Sequence, residues 1–190
     1  MNFCSDNASG ACPQVLKSIL AANTGYSMPY GDDTLTQNVK EKINDLFEIN
    51  GDIFFVSTGT AANALALSVI TQPYGGIFCH PNAHILVDEC GAPEFFTGGA
   101  RLLPMDNLNG TSTPEGFEAA WMKQGNSVHN VQANVISITQ ATEAGTLYDL
   151  DTIKQLTKMA HDRGLIVHMD GARFANALVS LGCQPAEMSW

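Results

Sequence analysis

Residues 165–177 read LIVHMDGARFANA. The apolar run over 165–169 predicts a buried strand, and the apolar residues through Leu181 predict a helix after it. Asp170 and Arg173 lie between the two, in a turn at the carboxyl end of the strand. Because open α/β sheets bind ligands at the carboxyl ends of their strands, this segment indicates both the fold and the place of a site.

The same alternation of strand and helix runs along the rest of the chain. Its spacing is typical of βαβ units, which favours an α/β fold with a largely parallel sheet. Helices are predicted over 13–22, 34–47, 61–70, 89–96, 151–163 with Asp151 as N-cap, and after an N-cap at Thr113; strands are predicted over 53–56, 77–79, 101–103, 135–139 and 165–169.

Composition and charge exclude several classes of protein. The chain has 190 residues, a formal net charge of −10 and nine scattered lysines and arginines, so no nucleic-acid or anionic-membrane partner is expected. Five cysteines without a CxxC pair favour a reducing compartment over a disulfide framework. The N-terminal residues lack the pattern of a signal peptide and no apolar run reaches membrane-spanning length, so we expect a cytoplasmic protein.

A first polar cluster, STGTAAN over residues 57–63, separates a predicted strand from a predicted helix. The unpaired N–H groups of a helix N-terminus suit a phosphate, and Gly59 allows close backbone approach. The cluster is neither a dinucleotide fingerprint nor a P-loop. The alternative is an ordinary capped helix with Thr60 as N-cap.

The second cluster is Asp170 to Arg173. An acid at the end of a buried strand is costly unless something pairs with it. A protonated pyridine nitrogen would be such a partner, and pyridoxal phosphate enzymes use an aspartate in this way. An ion pair between Asp170 and Arg173 is the structural alternative.

The third cluster runs from Cys79 to Cys90 and contains His80 and His84. Its ligand types allow a metal site, but Pro81 disfavours the helix that would align the two histidines, so no metal is expected. A single histidine stacked on a flat aromatic cofactor is the better functional interpretation, and a structural histidine is the alternative.

Together these clusters form an ordered series that resembles the bacterial low-specificity L-threonine aldolases, which are pyridoxal phosphate enzymes of the aspartate-aminotransferase-like group, fold type I. The series comprises SDN at 5–7, YGDD at 30–33, STGTAAN at 57–63, AHI at 83–85, DECGAPE at 88–94, TQATEAGT at 139–146 and HMDGARFANA at 168–177. The likeness covers nearly the whole chain, and the DGARFANA stretch is its most specific part.

The resemblance implies a three-layer αβα large domain with a mostly parallel sheet, incomplete at its C-terminus. Residues 1–48 would be an N-terminal helical segment that packs on this domain, and residues 49–190 would be part of the domain that binds pyridoxal phosphate. The small C-terminal domain would be absent. A complete protein would be a homodimer or homotetramer.

The resemblance also implies a role for each matching residue. Asp170 would pair with the pyridine nitrogen and His84 would stack on the ring, and these two are the expected catalytic residues. The other expected contacts are Thr58, Gly59 and Thr60 at the cofactor phosphate, Gln140 near the ring hydroxyl, and Ser5, Tyr30 and Arg173 at the amino-acid substrate. The block 139–146 has Glu143 and no histidine, so the base for the substrate hydroxyl is not identified.

The implied reaction is the cleavage of threonine and related β-hydroxy-α-amino acids to glycine and an aldehyde. In the family a lysine beyond the DGAR motif holds the cofactor as a Schiff base. The six lysines here all precede that motif in helix-like segments, so we expect a truncated chain without aldolase activity. The alternatives are another pyridoxal phosphate-dependent β-eliminating lyase or aminotransferase, or a non-catalytic fragment.

Overall fold

A computed structural model describes residues 8–105 and 107–189. Two compact units divide the chain, with the boundary between Asp45 and Leu46. None of the helices in the described ranges is both long enough and apolar enough to cross a membrane.

The first unit contains helix α1, Pro13–Ala22, and most of helix α2, Thr34–Phe47. Both helices have the predicted bounds. Proline at the start of α1 suits a position whose N–H would lack a partner in the helix. Asp33 precedes α2, where its carboxylate accepts hydrogen bonds from the backbone N–H of Thr36 at 2.9 Å and from the Thr36 hydroxyl at 2.6 Å.

A parallel sheet forms the centre of the second unit. Its strands are β1, Gly75–Cys79; β2, Arg101–Pro104; β5, Gln132–Thr139; and β6, Ile166–Asp170. They lie in the order β2-β1-β5-β6, and every neighbouring pair is parallel. The predicted parallel α/β sheet is therefore confirmed.

Helices cover both faces of this sheet. They are α3, Gly59–Ile70; α4, His84–Val87; α5, Ala92–Phe96; α6, Pro114–Gln124; α7, Leu150–His161; α8, Phe174–Leu181; and α9, Pro185–Ser189. Successive side chains of a strand point to opposite faces, so Ile77 packs with Leu67 of α3 on one side and Phe78 packs with Phe117 of α6 on the other. The result is the expected three-layer αβα arrangement.

The predicted strand over 53–56 does not form. Ile53 to Val56 has no regular secondary structure, and Phe54 and Phe55 are exposed. An isolated strand is not stable, and this segment pairs with none of the strands in the described ranges. Its apolar, β-favouring composition alone does not provide that partner.

Smaller differences concern boundaries. Asp149, rather than Asp151, caps α7 by accepting a hydrogen bond from the backbone N–H of Thr152. The predicted helix over 89–96 is shorter, because α5 begins at Ala92 after Gly91, which has the left-handed conformation. Helix α4 at His84–Val87 was not predicted. An antiparallel pair, β3 at Asn107–Leu108 and β4 at Thr111–Ser112, was not predicted, because strands of two residues carry no periodic pattern.

Candidate functional site

Helix α3 begins beside an open space. Thr58, not Thr60, is the N-cap, and its hydroxyl oxygen accepts a hydrogen bond from the backbone N–H of Ala61 at 3.1 Å. Gly59 is the first helical residue, and a Cβ at this position would meet nothing within 4 Å. Because first-turn N–H groups have no partner within a helix, those of Gly59 and Thr60 are suited to an anion.

Asp170 ends strand β6 and is only 9% exposed. Its Oδ1 accepts a hydrogen bond from the backbone N–H of Ala172 at 3.0 Å, and its Oδ2 accepts one from Asn63 Nδ2 at 2.9 Å. Both donors are neutral, and no ion pair to Asp170 occurs among residues 8–105 and 107–189. The alternative of an Asp170–Arg173 ion pair is therefore wrong.

Arg173 pairs with Glu143 instead, with 3.1 Å between Nη1 and Oε1. The arginine side chain is 44% exposed, so the pair lies at the surface of the second unit. Glu143 belongs to the block 139–146 in which no histidine occurs. The carboxylate of Glu143 thus pairs with the arginine that the resemblance assigns to the substrate carboxylate.

His84 opens helix α4 and contacts a buried acid. Its Nδ1 lies 2.8 Å from Oε1 of Glu89, whose side chain is fully buried, while that of His84 is 36% exposed. The hydrogen bond that His84 makes to Glu89 is the largest influence on the ring and raises the pKa of His84. Burial acts in the opposite direction, and the charges of Glu89, Glu143 and Asp170 raise the pKa further. The imidazole therefore holds a proton more readily than a free histidine does.

One amide nitrogen joins these two parts of the site. Nδ2 of Asn63 donates to Glu89 Oε1 at 2.7 Å and to Asp170 Oδ2 at 2.9 Å. His84, Glu89, Asn63 and Asp170 thus form a continuous chain of hydrogen bonds, which we call the Asn63 network. It connects the start of α4, the interior of α3 and the end of β6.

The sequence reasoning assigned no role to Asn63 or Glu89. Asn63 lies one helical turn after Gly59 and is buried in a largely apolar helix, and Glu89 is an acid that follows a short apolar run. A polar side chain in such surroundings signals a buried hydrogen-bond partner. The identity of that partner depends on contacts 26 and 107 residues away in sequence.

Gln140 is fully buried and has both ends of its amide engaged. Its Nε2 donates to the carbonyl oxygen of Tyr148 at 2.9 Å, and its Oε1 accepts from the backbone N–H of the same residue at 3.1 Å. These bonds hold the loop after β5. Because the side chain has no exposed surface, we leave Gln140 out of the proposed site.

Two expected substrate contacts are not placed at the site. Ser5 lies outside the described residues. Tyr30 belongs to the first unit, where it has a positive φ of 64° and a fully exposed side chain. Their roles stay predictions.

The cysteines and histidines that the structure describes do not gather into a metal site. Within residues 8–105 and 107–189, no group of three or more metal-ligating side chains lies close enough to hold an ion. His168 points into the core, where its Nδ1 lies 2.9 Å from the Ser137 hydroxyl and burial lowers its pKa. Cys79 is buried as well, and burial raises the pKa of its thiol to about 12.

Comparison with known proteins identifies the family of the chain. Residues 2–189 match the family described as beta-eliminating lyase. The chain belongs to this family. It is 43% identical, over 99% of its length, to the low specificity L-threonine aldolase of Pseudomonas aeruginosa, and it covers 54% of that protein. This beta-eliminating lyase chain therefore spans about half the length of the curated relatives it matches, and the resemblance to threonine aldolases is confirmed.

Solved structures show the same fold. A threonine aldolase of Leishmania major superposes with a TM-score of 0.88 at 27% identity, over 95% of this chain and 53% of that one. A serine palmitoyltransferase of S. paucimobilis, whose structure holds a PLP–myriocin aldimine, matches in fold with a TM-score of 0.59 at 19% identity, over 83% of this chain and 37% of that one. The expected fold type I architecture of the second unit is thus confirmed.

Proposed function

We propose that this beta-eliminating lyase chain carries the cofactor site of a pyridoxal phosphate-dependent aldehyde lyase. The substrates would be L-threonine, L-allo-threonine and related β-hydroxy-α-amino acids, which are cleaved to glycine and an aldehyde. The observation that carries the proposal is the buried carboxylate of Asp170, which has neutral hydrogen-bond donors and no cationic partner in the described ranges.

The surroundings of Asp170 fit a protonated pyridine nitrogen. A buried carboxylate without a counter-charge is costly, and each carboxylate oxygen accepts two hydrogen bonds. Oδ1 and Oδ2 each accept one bond, so each retains a free lone pair. A cationic donor in this place would supply the missing charge.

The other proposed contacts follow from the same arrangement. The N–H groups of Gly59 and Thr60 would hold the cofactor phosphate at the open start of α3, next to the cap made by Thr58. His84, which is joined to Asp170 through the Asn63 network, would stack on the ring. Arg173 would receive the substrate carboxylate, which would displace Glu143 from the exposed ion pair.

Bound pyridoxal phosphate supplies an electron-withdrawing ring that takes up the negative charge released when the Cα–Cβ bond of the substrate breaks. The residues of this chain prepare that step. Asp170 favours the protonated form of the ring nitrogen, which keeps the ring electron-poor. Arg173 fixes the substrate carboxylate and so the orientation of the bond that breaks.

We further propose that the 190-residue chain by itself does not catalyse the reaction. Its six lysines lie on the helices α1, α2, α6 and α7, and none lies at the carboxyl end of a strand, where Asp170 ends β6. Acetaldehyde formed from threonine by the purified chain, at a rate that scales with its concentration, would show this part of the proposal to be wrong.

Binding of pyridoxine 5′-phosphate tests the cofactor site directly. This compound keeps the phosphate and the pyridine nitrogen but has no aldehyde, so random lysine adducts do not form. We expect calorimetric titration to show binding to the 190-residue chain, and Asp170→Asn to weaken it at least about tenfold, because truncating one partner of a buried ion pair costs about 2 kcal/mol or more.

Asp162→Asn is the matched control, since Asp162 is an exposed acid paired with Lys158 on the surface of the same unit. It should bind pyridoxine 5′-phosphate as the unsubstituted chain does. Absence of binding to the unsubstituted chain, or equal binding by Asp170→Asn, would contradict the proposed cofactor site.

A further inference from the structure

Glu89 is a fully buried acid that the proposed chemistry does not use. Its Oε1 contacts both His84 Nδ1 and Asn63 Nδ2, whereas its Oε2 is buried with no hydrogen-bond partner in the described ranges. A buried acceptor left unpaired costs stability. A side chain with only a structural task would be expected to satisfy both oxygens.

The geometry points to Glu89 as the positioning residue of His84: its carboxylate fixes the imidazole ring with the proton on Nδ1 and leaves Nε2 as the nitrogen that exchanges protons with the substrate. This inference rests on the proposed function for the substrate, but its structural part concerns the chain alone. It assigns to Glu89 an action through His84, and no contact with cofactor or substrate.

The backbone brings the two residues together. His84 is the first residue of α4, and the N–H of Asp88 donates to the His84 carbonyl oxygen at 2.9 Å at the end of the helix. Glu89 follows Asp88 directly, and its carboxylate contacts the imidazole of His84 at the start of the same helix. Because a carboxylate only accepts hydrogen bonds, the Nδ1 that faces it must carry the proton.

Asn63 holds the carboxylate of Glu89 in its position beside His84. Its Nδ2 has two hydrogens, and the bonds at 2.7 Å to Glu89 and 2.9 Å to Asp170 use both. The carboxylate that orients His84 is thus tied to the carboxylate that would pair with the cofactor. A change in the position of either acid is transmitted through one amide group.

The charges around His84 decide how strongly it holds a proton. The acids that act on the ring are Glu89, Glu143 and Asp170, while Arg173 is paired with Glu143. Among the residues that the structure describes, only Glu89 bonds to the ring, so its removal should affect both the tautomer and the charge of His84. Removal of the Glu143 charge should affect the charge alone.

Nuclear magnetic resonance of the ¹⁵N-labelled 190-residue chain tests this without cofactor. Long-range ¹H–¹⁵N spectra report which ring nitrogen carries the proton, and loss of one signal set in His84→Gln assigns His84. We expect the neutral ring to have its proton on Nδ1, although an unrestrained histidine in water prefers Nε2. We expect the pKa to lie above the ordinary histidine value.

Glu89→Gln should lower the pKa of His84 and shift the ring towards the Nε2–H tautomer. Glu143→Gln is the control, with a smaller decrease in pKa and no change of tautomer. An Nε2–H tautomer in the unsubstituted chain would overturn the inference without any variant, which matters if Glu89→Gln does not fold. Equal effects of the two substitutions would overturn it as well.

The two proposals fail separately. If pyridoxine 5′-phosphate does not bind but His84 has its proton on Nδ1, the cofactor site is wrong and Glu89 still positions the ring. If the ligand binds and Glu89→Gln leaves the His84 tautomer unchanged, the cofactor site stands and the positioning role is wrong.

Discussion

Substitution of Asn63 by alanine should destabilise the second unit strongly, because Asn63 Nδ2 serves two buried acids at once. Its bonds to Glu89 and Asp170 are 2.7 Å and 2.9 Å long. A hydrogen bond to a charged group contributes about 1.5–3 kcal/mol, so the two together contribute about 3–6 kcal/mol. In the variant, Glu89 keeps its contact with His84, and Asp170 keeps its bond from the N–H of Ala172. We therefore expect the free energy of unfolding to fall by an amount near the lower limit, about 3 kcal/mol.

Urea unfolding followed by circular dichroism measures this loss as a shift in midpoint at unchanged slope. Asn130→Ala is the matched control, because Asn130 is exposed and its Nδ2 donates to the backbone carbonyl oxygen of Gln124 at 2.8 Å. Its substitution should cost less than about 1 kcal/mol. If the free energy of unfolding of Asn63→Ala lies within about 1 kcal/mol of that control, the network does not stabilise the site as argued.

Three further predictions follow from local geometry. At pH 8.5 iodoacetamide should modify exposed Cys90 but not buried Cys79, whose thiol has a pKa of about 12, and urea should abolish the difference in peptide mass maps. Thr113→Ala should lower the free energy of unfolding by about 1 kcal/mol while Thr113→Ser does not, because the hydroxyl caps α6. Burial lowers the pKa of His168, so the neutral ring stabilises the folded state above the ordinary histidine pKa, and this stabilisation is lost as pH falls below it. His168→Gln should therefore flatten the decrease in unfolding free energy between about pH 7 and pH 5. An unchanged slope would contradict this.

The elements that were predicted well are those with a repeated local pattern. Helices α1 and α2 have the predicted bounds, and each end of strand β6 lies within one residue of its prediction. Apolar periodicity and helix caps are local properties, so sequence alone expresses them. The segment 53–56 has the right composition for a strand but remains irregular, since a strand needs a partner that composition does not provide.

The candidate site likewise has residues that the sequence predicted and contacts that it did not. The sequence predicted Gly59, His84 and Asp170 as site residues, because each is a polar or conformationally special residue near the end of an apolar element. It also favoured a role for Gln140 and left an Asp170–Arg173 ion pair open. The structure buries the amide of Gln140 and pairs Arg173 with Glu143.

The sequence by itself determined the α/β class, the parallel sheet and the family, because these depend on hydrophobic periodicity and on an ordered series of motifs. Only the tertiary structure decided which polar groups meet. The Asn63 network joins residues 63, 84 and 170, from three separate elements, with residue 89 in the turn after α4, and no local pattern encodes that junction. Hydrogen bonds are short and directional, so their partners are fixed only once the sheet and its helices have packed.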